Sequence, residues 1–189
     1  MPRPLKVFLL LMFVVIGVHF ESASRVSISD LYPEPNTVFE DRRGNILRWI
    51  PDERGERHIW VPISNIPNVV QKAFISAEDH RFYSHPGIDL LAILRAVKSN
   101  LIEGRIVSGA STLTQQLSRL TYPRKRTYYD KLVELLRSLR IEWLLDKDQI
   151  LELYLNRVPL GNNLVGVSAG STTYFGKALS RLTSSEAAL

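Results

Sequence analysis

The chain has 189 residues, with 24 lysines and arginines against 19 acids and a net charge of +5. Hydrophobic residues at 45% and charged residues at 23% fit a packed globular chain and exclude a disordered one. Cysteine is absent, which excludes disulfide frameworks, thiolate zinc sites and cysteine nucleophiles.

Arg3 and Lys6 precede an almost wholly apolar run from Val7 to Phe20. A cationic start before an apolar run reads as an export signal or a short membrane anchor. The run falls short of the roughly 20 residues of a full span. Ser22-Ala23-Ser24 offers a small-residue cleavage site, so cleavage and retention both stay open. The cationic start belongs in the cytoplasm, which places everything beyond residue 25 outside it. The pI of about 9.6 alone would suit nucleic acid, anionic lipid or a phosphorylated substrate equally. The N-terminus sets nucleic acid aside.

Residues 21–37 read as a linker, with Ser22, Ser24, Ser27, Ser29, Pro33 and Pro35. Gly44-Asn45 lies between two strand-like runs and predicts a hairpin. His58 to Pro62 continues in extended style. From residue 65 the pattern turns helical, with Val69, Val70, Ala73, Phe74 and Ala77 at helical spacing. Asp89 is the expected N-cap of a helix carrying Leu90, Leu94, Val97 and Leu101 and ended by Gly104. Between Thr127 and Leu145, Leu132, Leu136, Leu139 and Trp143 form one stripe. Asp146 with Gln149 makes a capping box for a helix reaching Asn156. Residues 161–166 read as a loop, and Val165 to Phe175 as a short helix. Thr183 to Glu186 is a second capping box, followed by only three residues. A single turn cannot offset its nucleation cost, so the chain is expected to be cut short at its C-terminus.

Three segments carry candidate chemistry. The first is Ser76 to Gly87, where Glu78 and Asp79 close a helical segment. A glutamate at such a helix end can act as a general base if partial burial raises its pKa. The same residues also read as a charged helix end paired with Arg81. The second is Gly104 to Gln116, where Ser111, Thr112, Gln115 and Gln116 follow two glycines. Free amides at a helix start suit an anion or a sugar, and an ordinary capped helix start fits equally. The third is the basic segment Arg119, Arg124, Lys125 and Arg126, followed by Lys131 and Glu134. Lys131 and Glu134 project about sixty degrees apart on a helix, beside the leucine stripe. Such a cluster can hold a pyrophosphate, or simply be a solvated charged face.

Order and spacing together say more than any one segment. Glu-Asp-x-x-Phe-x-x-His-x-Gly, Gly-Ala-Ser-Thr-Leu-Thr-Gln-Gln, Lys-x-x-Glu, Ile150 to Asn156 and Gly170 to Lys177 follow one another in this chain. Over about residues 60–189 this closely resembles the peptidoglycan glycosyltransferase family. That family includes the transglycosylase modules of class A penicillin-binding proteins and the monofunctional transglycosylases. Gly104 to Gly109 and Ile141-Glu-Trp143 look most like the 1C subgroup.

The resemblance implies a mainly α, lysozyme-like domain. A signal-anchor over 1–24 and a linker with a small hairpin over 25–60 would precede the glycosyltransferase domain at 61–189. It implies inverting polymerisation of lipid II with release of undecaprenyl pyrophosphate. Glu78 matches the family's general base. Glu134 matches the second glutamate, which assists pyrophosphate departure directly or through a divalent metal, Mg or Mn. No organic cofactor is implied. Asp79, Ser111, Thr112, Gln115, Gln116, Arg119, Arg126 and Lys131 fall on substrate-binding positions. Expected partners are lipid II, the growing glycan strand and the membrane, with room for other cell-wall synthesis proteins. The expected location is the extracytoplasmic, periplasmic face of the inner membrane, on a single N-terminal anchor.

The chain departs from the family pattern at Asp130, where a cation is common, and at Val133, where some members have lysine. It contains no Ser-x-x-Lys and no Lys-Thr-Gly, so β-lactam binding is not expected. Two rival readings stand beside the enzyme. One is an inactive remnant that binds lipid II or cell-wall partners. The other is a glycan hydrolase of lysozyme-like fold, against which the basic cluster argues, since cleaving a neutral glycan needs no pyrophosphate site.

Overall fold

A computed structural model describes residues 3–32, 36–44, 46–107, 109–123, 125 and 127–189, with side chains from Met12 onward. The architecture is mainly helical. Helix α1 spans Arg3–Ala23 and α2 spans Ile28–Leu31. Among the described residues no helix is long and apolar enough to cross a membrane. The end of α1 is docked rather than loose. Arg137 donates to the Ala23 carbonyl at 2.7 Å, Arg140 pairs with Glu21, and His19 is hydrogen-bonded to Tyr129. Part of the expected linker belongs to the core: Leu31 is fully buried, and buried Arg157 donates to its carbonyl.

The hairpin forms from β1, Thr37–Glu40, and β2, Ile46–Ile50, paired antiparallel. Its turn is held by Gly44 N–H donating to the Asp41 carbonyl, with Gly44 at φ +78°. Asn45 lies outside the described residues. The segment after it finds a distant partner. β3, Arg57–His58, runs parallel to β4, Leu164–Val165. Residues 161–166 are therefore not only a loop, and the short helix α8 begins at Val167 rather than Val165. It spans Val167–Gly170 and leads into a π turn over Ser171–Phe175.

The remaining long helices follow, and all but α3 start behind a side-chain cap. α3 spans Asn68–Glu78. α4 spans Leu90–Glu103, with the Asp89 carboxylate accepting from Ala92 N–H and left-handed Gly104 at its end. α5 spans Leu113–Thr121 behind Thr112, and α6 spans Tyr128–Leu144 behind Thr127. α7 spans Lys147–Arg157 behind the full capping box of Asp146 and Gln149. α9, Ser184–Ala187, forms its own box from Thr183 and Glu186.

The core centres on α7. Ile150, Leu151, Leu153, Tyr154, Leu155, Asn156 and Arg157 are all buried, so beyond its exposed first turn at Asp148 and Gln149 the helix is enclosed on nearly every side. Leu113 and Leu117 of α5, Ile141 of α6, Val70 of α3 and Phe82 pack in the same cluster. Two expected apolar stripes face outward instead. On α6 the buried face is Val133, Glu134, Ser138 and Ile141, while Leu132, Leu139 and Trp143 are exposed, Trp143 by 85%. On α4, Leu90, Leu94, Val97 and Leu101 are all exposed, and Ala96 is the helix's buried residue. Periodicity shows that a helix has an apolar face, not which surroundings that face meets.

Candidate active site

Glu78 is the last residue of α3, and its side chain is exposed rather than partly buried. One side-chain bond orients it: Gln116 Nε2 donates to Glu78 Oε2 at 2.8 Å. The Tyr154 hydroxyl in turn donates to Gln116 Oε1 at 3.2 Å. That bond also settles the amide orientation, because Gln116 Oε1 faces a donor and Nε2 an acceptor. Burial first, then the Glu78 charge, push the Tyr154 phenol well above its ordinary range. Tyr154 therefore stays a donor.

Asp79, Thr112 and Gln115 stand behind the open surface. Asp79 is buried and caps α3. His85 Nε2 lies 3.0 and 3.1 Å from its two oxygens, and Leu113 N–H donates to Oδ2 at 3.0 Å. The N-terminus of α5 thus already holds an anion, and it is the protein's own carboxylate. The Thr112 hydroxyl donates to the Gly87 carbonyl at 2.6 Å while accepting Gln115 N–H. Gln115, 1% exposed, also reaches the Gly87 carbonyl, at 3.4 Å. The free amides expected for an external anion are in part used internally.

The second acid lies on α6. Glu134 is 1% exposed, and Lys131 pairs with its Oε1. The Lys131 ammonium also donates to Gln115 Oε1 at 3.0 Å and Ser111 Oγ at 3.3 Å. Arg119 Nη1 lies 4.0 Å from Glu134 Oε2. The two cations are open to solvent, with side chains 38% and 46% exposed. A buried carboxylate thus sits beneath two reachable cations. α5 links both acids, since Gln116 holds Glu78 while Gln115 and Arg119 face the Glu134 cluster. Arg126, and Arg124 with it, lie outside the described residues.

A divalent metal at Glu134 would find one carboxylate there and would take its other ligands from water or substrate phosphates. Here one carboxylate meets an ammonium and a guanidinium. Among the described residues, the one cluster of three ligand-type side chains is Asp79, His85 and Asp89, which excludes Glu134. Those three are internally engaged, Asp89 with Ala92 N–H at 2.9 Å and Arg81 at 3.7 Å. Lys131 and Arg119 are cations of this chain that already face Glu134.

An exposed carboxylate, a buried acid paired with Lys131 and two solvent-reachable cations are thus grouped along α5. The family model described as Transglycosylase matches residues 43–189, which include every one of these groups.

The chain belongs to the transglycosylase family.

Penicillin-binding protein 1A of Escherichia coli is 46% identical over 135 residues, 71% of this chain and 16% of that protein. Penicillin-binding protein 1C of Escherichia coli is 42% identical over 155 residues, covering 82% and 20%. Penicillin-binding protein 4 of Bacillus subtilis is 37% identical over 164 residues, covering 86% and 26%. This transglycosylase chain spans about a fifth of the length of these relatives. Within it, sequence reading missed Tyr154 as the group behind Gln116. Its place in the Ile150 to Asn156 motif is the only local signal, and the contact joins α5 to α7. The Glu142–Lys147 pair was missed as well. In sequence both look like surface charges.

Proposed function

We propose that the chain is a peptidoglycan glycosyltransferase that polymerises lipid II at the extracytoplasmic membrane surface. The observation that carries this reading is the contrast between the two acids across α5. Glu78 is exposed, acceptor-only and oriented by Gln116. Glu134 is buried and neutralised by Lys131. Glu78 takes the proton from the acceptor sugar's 4-hydroxyl. The freed oxygen attacks the donor's anomeric carbon from the face opposite the pyrophosphate. The new glycosidic bond forms as the bond to the pyrophosphate oxygen breaks, which inverts that carbon. The leaving electron pair stays on the pyrophosphate. Lys131 and Arg119 stabilise its charge, as leaving phosphates require. Glu134 keeps the Lys131 ammonium fixed and charged where that charge develops. Glu78, being exposed, returns its proton to water. Ser111 and Gln115 set the height of the Lys131 ammonium, and Asp79 and Thr112 position the loop that follows Glu78.

The membrane location is supported by apolar surface that is exposed among the described residues. Leu90, Leu94, Val97 and Leu101 of α4 are exposed beside Arg95 and Lys98, the pattern of a helix lying on an anionic lipid surface. On α1, Phe13, Val15 and Val18 are exposed as well. A lipid-linked donor belongs to that same surface.

The test is polymerisation of labelled lipid II by this chain in detergent, with a divalent metal in the buffer, beside Glu78→Gln. Long glycan from the parent and none from the variant supports the reading. A folded, helical parent that binds lipid II without turnover replaces it with the non-enzymatic one. Shortening of preformed glycan replaces it with a hydrolase.

A further inference from the structure

We infer that Glu142 and Lys147, which touch neither acid, are positioning residues that set where Glu78 sits relative to α5; the inference rests on the function proposed above. Lys147 opens α7, and its ammonium makes two hydrogen bonds of 2.7 Å, to Glu142 Oε1 and to the His85 carbonyl. It also lies 4.4 Å over the ring of Phe82, which is fully buried. Glu142, on α6, has a side chain only 9% exposed. The same Oε1 accepts the Thr114 hydroxyl of α5 at 2.5 Å. One ion pair therefore ties α5, α6, α7 and the loop after Glu78.

The loop lies on α6 at backbone distance. A Cβ on Gly87 would stand 2.9 Å from Glu142 Cγ and 3.1 Å from the Ser138 carbonyl oxygen, and Gly87 has φ +86°. The bonded path then runs back to Glu78. Lys147 fixes the His85 backbone, the His85 ring holds both Asp79 oxygens, and Asp79 follows Glu78 directly. Asp79 also takes Leu113 N–H, so the end of α3 is referenced to the start of α5. Gln116, one turn on, grips Glu78. A mostly buried ion pair is weak evidence for stability but a strong geometric constraint. The donor cations Lys131 and Arg119 hang on Gln115 and Glu134, a branch that meets the loop only at the Gly87 carbonyl, which Thr112 contacts at 2.6 Å and Gln115 at 3.4 Å.

Because the base is held by a direct bonded path from Lys147 and the donor cations only through the Gly87 carbonyl, the two should respond unequally. In Lys147→Met the base loses its reference while the donor cations keep theirs. We expect kcat for lipid II polymerisation to fall about 10- to 100-fold, with KM within about twofold of the parent. Lys147→Arg, which keeps the charge, the donors and the stacking on Phe82, should recover most of that loss. Glu142→Gln should fall between the two. Amide hydrogen exchange on the same 189-residue variants supplies an arm independent of turnover. The Leu113 and Phe82 amides, whose acceptors are the Asp79 carboxylate and backbone carbonyl, should exchange faster in Lys147→Met. Amides in the middle of α7 should not. A rise in KM with kcat unchanged overturns the inference, as does equal loss in the Arg variant. Acceleration spread evenly over α5 and α7 also overturns it, since that marks a general structural role. If the parent makes no glycan, the proposed function fails, and the exchange arm alone decides: unaltered protection at Leu113 and Phe82 refutes the positioning role.

Discussion

Gln116 Nε2 donates to Glu78 Oε2 at 2.8 Å, so the exposed carboxylate is oriented by α5 rather than by its own helix. That bond carries the first prediction. Glu78→Gln keeps the side-chain shape and can still accept from Gln116 through its amide oxygen, but it cannot take a proton. Polymerisation should fall about 10²- to 10⁴-fold, with the melting temperature nearly unchanged. Product length on a gel and a thermal melt check both halves. Turnover like the parent's would remove Glu78 from its role.

Tyr154→Phe removes the donor behind Gln116 without altering the core volume. It should cost about 1 kcal/mol of stability and lower kcat several-fold. The alkaline limb of the pH–rate profile should stay where it is, because the phenol does not titrate in that range. A shifted limb would mean that Tyr154 itself transfers a proton.

Lys131→Met leaves Glu134 buried with its contact cation gone. Breaking a buried pair costs about 3–5 kcal/mol. Lys131 is partly exposed and Arg119 remains 4.0 Å away, so we expect about 2 kcal/mol, together with a raised KM for the donor. Lys131→Met combined with Glu134→Gln should recover part of the stability but not the KM. A double-mutant cycle by denaturation reads the coupling directly.

Asp130→Arg should strengthen lipid II binding by adding a cation beside the phosphates. Asp130 accepts the Thr127 hydroxyl at 2.5 Å and lies in the first turn of α6, where a negative charge is favoured. The gain in affinity should therefore come with a loss of about 0.5–1 kcal/mol in stability. Equal or weaker affinity would count against placing the donor phosphates there.

Acid should loosen the loop after Glu78 through Asp89. Burial alone would raise its carboxyl, but Ala92 N–H, Arg81 and His85 together outweigh burial and hold it below the usual range. A depressed folded pKa means the stabilisation is fully present above the ordinary aspartate range and is lost as pH falls through the folded value. Asp89→Asn should be less stable than the parent at neutral pH, and the difference should shrink only in strong acid. A gap that closes already at pH 5 would contradict this.

The local signals in the sequence carried far. Asp89, Thr112, Asp146 with Gln149 and Thr183 with Glu186 each start a helix, because a cap is decided within four residues. Lys131 and Glu134 lie beside the leucine stripe of α6, as their spacing requires. The burial of that helix was not legible. Its Glu134 turns inward beneath a partly exposed Lys131, whose ammonium is also met by Ser111 and Gln115, a fact that needs α5 in place. β3 and β4 escaped for the same reason, since two-residue strands exist only through each other. Lys147 reads as one more charge in Asp-Lys-Asp until Phe82 and His85 come to meet it.

The enclosure of α7 has a consequence for how the molecule fails. Its buried residues pack in one cluster with the helices that carry site groups: Val70 of α3, which ends at Glu78, Leu113 and Leu117 of α5, which carries Gln116 and Arg119, and Ile141 of α6, which carries Glu134. An opening that exposes α7 therefore loosens the surroundings of both acids in one event. A protease that finds α7 accessible meets a molecule that has already stopped working, so surveillance by degradation spares the competent population and clears the rest.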